Sequence, residues 1–69
     1  MNVTVARVPR PNVAQALEVP LGATVVDVVR RVGALPDQVI VIRDERPLPL
    51  DAPLHEGDRL QVVNVFSGG

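Results

Sequence analysis

The sequence contains no cysteine, tryptophan, tyrosine or lysine, and it has a single phenylalanine, Phe66, and a single histidine, His55. Without cysteine there is no disulfide framework, zinc knuckle or thiol nucleophile, which fits a reducing compartment. One aromatic ring offers no stacking platform for bases. The formal net charge is −1, with acidic and basic residues interspersed, so neither nucleic acid nor an anionic membrane is indicated as the main partner. No apolar run approaches the ~20 residues that span a bilayer, and no charged, apolar and cleavable order opens the chain. The expectation is a soluble, cytoplasmic protein, a monomer that makes no direct contact with nucleic acid or membrane. With 69 residues, the chain forms one domain with a small core and little room for a substrate cavity.

All seven basic residues are arginine: Arg7, Arg10, Arg30, Arg31, Arg43, Arg46 and Arg59. Roughly four lysines would be expected at this length. An arginine-favouring genome accounts for their absence; a second account is that a side-chain amine is unwelcome here.

What is present is β-branched and periodic. Met1, Val3 and Val5 alternate with Asn2, Thr4 and Ala6, which predicts a half-buried strand over 1–8. After a break at Pro9, Pro11 and Asn12, residues 13–19 lie within hairpin distance and complete an antiparallel pair. Thr24 followed by Asp27 is a helix-start signature. Val25, Val28, Val29 and Val32 then recur at helical spacing, and Gly33 marks the stop. Valine is a poor helix former, but the spacing does not alternate, so the segment is read as a helix that must bury its valines on a sheet. Four aliphatics, Val39 to Ile42, predict a strand apolar on both faces. Leu48 and Leu50 form a short extended piece, with 47–53 as an edge because proline lacks a ladder donor. Glu56-Gly57-Asp58 turns the chain into a last strand over 59–66. The order is that of an α+β domain, one helix packed on a four- to five-stranded mixed sheet, over residues 1–65, with 66–69 as a flexible C-terminal diglycine tail.

No catalytic set is present. His55 has no cysteine or second histidine to complete a nucleophile pair or metal site, and it reads as an exposed loop residue. Carboxylates are scattered at turns, and Ser67 has no base beside it. The remaining candidate is the C-terminus. Glycine has no Cβ, so Phe66, Ser67, Gly68 and Gly69 could lie extended in a partner's channel, reaching at most ~14 Å. The carboxylate is unreactive until activated elsewhere. If Leu60 and Val62 face the helix, then Gln61, Val63 and Val65, with one parity of residues 39–42, face outward as a partner-docking patch, unless a second layer covers that face.

The order of elements, Glu56-Gly57-Asp58-Arg59-Leu60 before the last strand, and Ser67-Gly68-Gly69 resemble the ubiquitin-like sulfur carrier proteins. These include ThiS, MoaD, TtuB and the small archaeal modifier proteins, and the likeness is nearest to the tRNA-thiolation and archaeal modifier members. The resemblance implies a β-grasp fold and no catalysis by the chain itself. A MoeB- or ThiF-type activating enzyme would use ATP and Mg to adenylate Gly69, with Gly68, Ser67 and Phe66 in its channel. A sulfurtransferase or cysteine desulfurase would then give a thiocarboxylate, and a sulfur-accepting synthase or tRNA thiolation enzyme would receive the sulfur. Thiamine thiazole synthesis is an alternative destination, and conjugation of Gly69 to protein lysines a second role. The chain itself binds no cofactor or metal. Glu45 stands where related chains commonly carry glycine, which implies a different turn type there. A competing reading is a TGS-like β-grasp binding module without sulfur chemistry.

Overall fold

A computed structural model describes residues 1–65. In chain order it contains β1 (Asn2–Val8), β2 (Gln15–Glu18), α1 (Val25–Arg31), a 3-10 turn (Pro36–Gln38), β3 (Val39–Arg43), β4 (Arg46–Leu48) and β5 (Arg59–Asn64). The strands form one five-stranded sheet in the order β2-β1-β5-β3-β4. The first and last strands are parallel neighbours, with Val5 opposite Leu60 and Arg7 opposite Val62. The other pairings are antiparallel. One helix on this mixed sheet is the β-grasp arrangement.

The period of two in β1 places Val3 and Val5 against α1, where they are 1% and 2% exposed. From the helix, Val25, Val28 and Val29 are fully buried. Val41 of β3 and Leu60 and Val62 of β5 complete the centre, so the parity containing Val41 faces the helix. Fully burying one such side chain contributes about 1.5 to 3 kcal/mol. That gain overrides the weak helix propensity of the valine run, which tertiary packing alone makes helical.

Both ends of α1 are closed locally. The Asp27 carboxylate accepts from the Thr24 N–H at 2.9 Å and from the Thr24 hydroxyl at 3.2 Å. At the other end Gly33 adopts φ +80°. Its N–H donates to Arg30 O and that of Ala34 to Val29 O, both at 3.1 Å, which is the Schellman pattern that a left-handed residue permits. Arg7, on the helix-facing side of β1, adds a bond from its guanidinium to Val32 O at 3.1 Å.

Several expected boundaries are corrected. The second strand is confined to Gln15–Glu18, and Val13 is exposed beyond it. The fourth strand is Arg46–Leu48 rather than a Leu48 to Leu50 piece. Residues 49–54 leave the sheet because their carbonyls serve the free amides of α1: Val26 N–H donates to Leu50 O at 2.8 Å and Val25 N–H to Ala52 O at 3.0 Å. Leu54 is buried beneath them. The last strand ends at Asn64, short of the expected 66, and Phe66 lies outside the described residues.

The turn at Glu45 also departs from expectation. Asp44 and Glu45 have φ of +53° and +66°, and together they link Arg43 to Arg46 across a two-residue loop. Two left-handed residues in such a loop make a type I′ turn. The turn is therefore the kind glycine favours, with glutamate held in it, and the expected change of turn type does not occur. A glutamate there carries steric cost that glycine avoids, partly offset by glycine's greater unfolded-state entropy. Glu45→Gly is expected to raise unfolding free energy by about 0.5 to 1 kcal/mol in urea titration.

Candidate functional site

The site is built around β5, the central strand. Its alternation sends Leu60 and Val62 into the core and leaves Gln61 exposed and Val63 half-buried on the opposite face. On one side β3 places Ile40 opposite Val63 and Ile42 opposite Gln61. On the other, β1 places Val8 opposite Val63 and Ala6 opposite Gln61. The resulting face, away from α1, carries Val8, Ile40 and Val63 across one row. Ala6, Gln61 and Ile42 form the next row, toward Arg59. Ile40 is 45% exposed. No helix or second sheet covers this face among the described residues.

Val65 is 48% exposed, one residue past the strand. Its N–H donates to Gln38 O at 3.0 Å, which ties the end of β5 to the turn preceding β3. The three residues expected to form a docking patch, Gln61, Val63 and Val65, thus share the open face or its margin, and Ile40 and Ile42 are the parity of β3 that joins them. Toward the start of β5 the face dips into a concavity of about 270 Å³ lined by Ala6, Ile42, Asp44, Arg59 and Gln61, among others. The candidate tail, Phe66, Ser67, Gly68 and Gly69, lies outside the described residues.

Local sequence fixes where β5 begins. Gly57 takes φ +82° and donates to Asn2 O at 2.7 Å. The Glu56 carboxylate accepts from the Asn2 N–H at 3.1 and 3.2 Å to its two oxygens. Thr4 N–H donates to Asp58 O at 2.8 Å. The Asp58 carboxylate accepts from the His55 N–H at 2.9 Å and from the Arg43 guanidinium at 3.0 Å. The Glu56-Gly57-Asp58 segment is therefore a clamp joining β1, β3 and β5. His55 contributes its backbone to that clamp, while its side chain is 69% exposed, as expected of a loop residue. Two long-range side-chain bonds were missed in the sequence, that of Arg43 within the clamp and that of Arg7 to Val32 O at the end of α1. Arg43 sits at a strand end next to a turn, and nothing in its spacing signals a partner fifteen residues on. Arg7 keeps the β1 parity of Val3 and Val5, which was a usable signal that its side chain would run toward the helix.

Among the described residues no group of three or more histidine, cysteine, aspartate or glutamate residues could hold a metal ion. No helix there is long and apolar enough to cross a membrane. The face offers apolar contact and hydrogen bonding and presents no nucleophile paired with a base.

Comparison with known proteins agrees with this geometry. Residues 1–66 match the family model described as small archaeal modifier protein 2. Among curated proteins none matches the sequence. The fold is similar to the crystal structure of SAMP1 from Haloferax volcanii, with a TM-score of 0.77 at 19% identity over 100% of both chains. It is similar to a ubiquitin from Caldiarchaeum subterraneum, with a TM-score of 0.73 at 20% identity over 100% of this chain and 98% of that one. A putative molybdopterin converting factor subunit 1 from Pyrococcus furiosus gives a TM-score of 0.74 at 22% identity, over 91% of this chain and 95% of that one.

The clamp yields a direct expectation. Asp58→Ala removes two hydrogen bonds at a carboxylate that is only 14% exposed. Chemical denaturation is expected to show a loss of about 2 to 3 kcal/mol, because bonds to charged groups contribute more than neutral ones. Arg43→Ala is expected to lose less, since the His55 N–H keeps its acceptor.

Proposed function

Because the chain belongs to the small archaeal modifier protein 2 family, we propose that it is a ubiquitin-like carrier activated at the carboxylate of Gly69. A partner enzyme of the MoeB or ThiF type docks on the open face of β5 and β3. It directs Gly69 to the α-phosphate of ATP, with magnesium held by that enzyme. A carboxylate oxygen attacks the phosphorus and pyrophosphate leaves, which converts a poor electrophile into an acyl adenylate. The outer sulfur of a persulfide on a sulfurtransferase or cysteine desulfurase then attacks the adenylate carbonyl and displaces AMP. A second thiol of that partner system cleaves the resulting acyl disulfide, becoming oxidised to a disulfide with the donor cysteine and releasing the thiocarboxylate. That soft anion delivers sulfur to an acceptor, with tRNA thiolation or thiamine thiazole formation as the destination. The same adenylate, met by a lysine amine on another protein, gives conjugation instead.

The observation that carries this reading is the family match across residues 1–66, combined with a sequence that continues from the central strand into Ser67-Gly68-Gly69. The modifier family favours the carrier over a TGS-like binding module, which would have no use for these glycines. In this division of labour the chain supplies three things. The clamp and the valine core fix β5; Ile40, Val63 and Val65 give apolar contact; Gln61 gives a hydrogen-bonding group at the edge of that contact, in the row toward Arg59. Gly68, lacking a Cβ, lets the last residues pass through a narrow channel, with Phe66 and Ser67 preceding it.

Two outcomes test the reading. Protein recovered from its own cells under sulfur-replete growth is expected to include a species with one C-terminal oxygen replaced by sulfur, seen by intact mass. A variant lacking Gly68 and Gly69 is expected to keep the parent's Tm and lose both that species and ATP-dependent pyrophosphate release by the activating enzyme; a shortened chain that is still activated defeats the proposal.

Docking is tested separately. Ile40→Ala and Val63→Ala truncate side chains that α1 does not cover, and each is expected to reduce kcat/KM for activation by about tenfold or more, as for anchors of an interface. Their circular dichroism spectra are expected to match the parent's.

A further inference from the structure

An activated acyl group forms an amide with an accessible primary amine, and this chain is short of them. It has no lysine, and its arginines remain protonated and non-nucleophilic. With Met1 first in the chain, one amine remains, and the fold occupies it. The Met1 ammonium donates to Val19 O at 2.6 Å, and the Val19 N–H donates back to Met1 O at 2.8 Å. This reciprocal pair adds a closing rung to the β1–β2 ladder, next to Asn2 opposite Glu18. Val19 is 3% exposed, and the Met1 side chain packs against the core. To act as a nucleophile the amine must lose its proton, give up the Val19 carbonyl and leave the end of the sheet.

We infer that this protein is a donor and not an acceptor: one copy is never extended by another, so any conjugate it forms stops at a single unit. The inference rests on the reading that Gly69 is activated. In the step concerned, the lone pair of an amine nitrogen attacks the Gly69 carbonyl of the acyl adenylate. A C–N bond forms, the C–O bond to AMP breaks, and the surplus amine proton passes to solvent. Partner proteins with free lysines can supply that amine, whereas a second copy of this chain has no lysine and holds its Met1 amine in the sheet. The device lies in both sequence and fold: lysine is missing from the surface, and the remaining amine is held in the sheet.

The experiment uses purified protein beginning at Met1, with its activating enzyme, ATP and magnesium. Pyrophosphate release reports activation, and intact mass reports copies joined to one another. The native chain is compared with Arg30→Lys, which places one amine on the exposed side of α1, and with a chain extended by Gly-Ser-Gly-Ser before Met1, which carries the amine clear of Val19. All three are expected to release pyrophosphate at the same rate. Both variants are expected to form joined copies at least about tenfold faster than the native chain, the extended chain because it loses a charged hydrogen bond and Arg30→Lys because its new amine lies on an exposed position. An amine-reactive acetyl ester is expected to label native Met1 more slowly than the extended terminus by a similar factor, which tests the held amine without the enzyme. Native copies joined through Met1 as fast as the variants would overturn this inference and leave activation standing. So would release of pyrophosphate with no joined copies from any of the three, because amine supply would then not be the limit. No pyrophosphate from any of them would defeat the activation reading, and this inference with it.

Discussion

Val25, Val28 and Val29 lie completely buried against Val3, Val5, Val41, Leu60 and Val62, and this contact between one helical face and one sheet face is what the rest of the molecule depends on. The helix is only seven residues long, too short to persist by itself. The sheet in turn needs the helix, because its other face is open and contributes little burial. Neither layer has an aromatic side chain with which to compensate for a gap. With β-branched residues on both sides, side-chain entropy lost on packing is small, since valine has few rotamers to lose. A core of this kind is rigid for its size, and its rigidity is passed to β5.

That rigidity bears on recognition. A strand held on both sides by ladders and beneath by its own Leu60 and Val62 presents Gln61 and Val63 at fixed positions. Docking to such a surface requires little ordering on this side of an interface. The clamp at Glu56, Gly57 and Asp58 has the same effect from the other end, fixing β5 to the beginning of β1. Under the proposed function, the surface would be prepared before any partner arrives, leaving the energy of docking for placing the terminus.

The elements with a strong period were legible in the sequence. The alternation of Met1, Val3 and Val5 specified β1, and Thr24 with Asp27 and Gly33 bounded α1 to within a residue. The open face was legible in outline, because Leu60 and Val62 had to be on one parity and Gln61 and Val63 on the other. The parity of β3 was not, since Val39 to Ile42 is apolar throughout and only the register with β5 distinguishes Val41 from Ile40. The stretch after Leu48 was misplaced for a different reason: its task is to accept hydrogen bonds from the start of α1, and carbonyls leave no mark on a side-chain pattern. The Glu45 turn shows the opposite case, where tertiary pairing of β3 with β4 imposes a left-handed backbone that the residue itself disfavours. Long-range bonds from Arg43 and Met1 could not be read from spacing, because each joins positions that only the fold brings together, whereas the parity of Arg7 gave its direction and not its partner.

The parallel pairing of β1 with β5 has a consequence for how the molecule is made. The two strands at the middle of the sheet come from opposite ends of the described chain, so the central ladder has the largest sequence separation the fold contains, and such contacts close late. During synthesis β1 must wait, with one edge unpaired and half of its core partners absent, until the ribosome has delivered β5. A chain interrupted before that point has no central strand and cannot form the face away from α1. Closure of the sheet is therefore coupled to synthesis of β5, and no fragment that stops short of it can assemble the order β2-β1-β5-β3-β4.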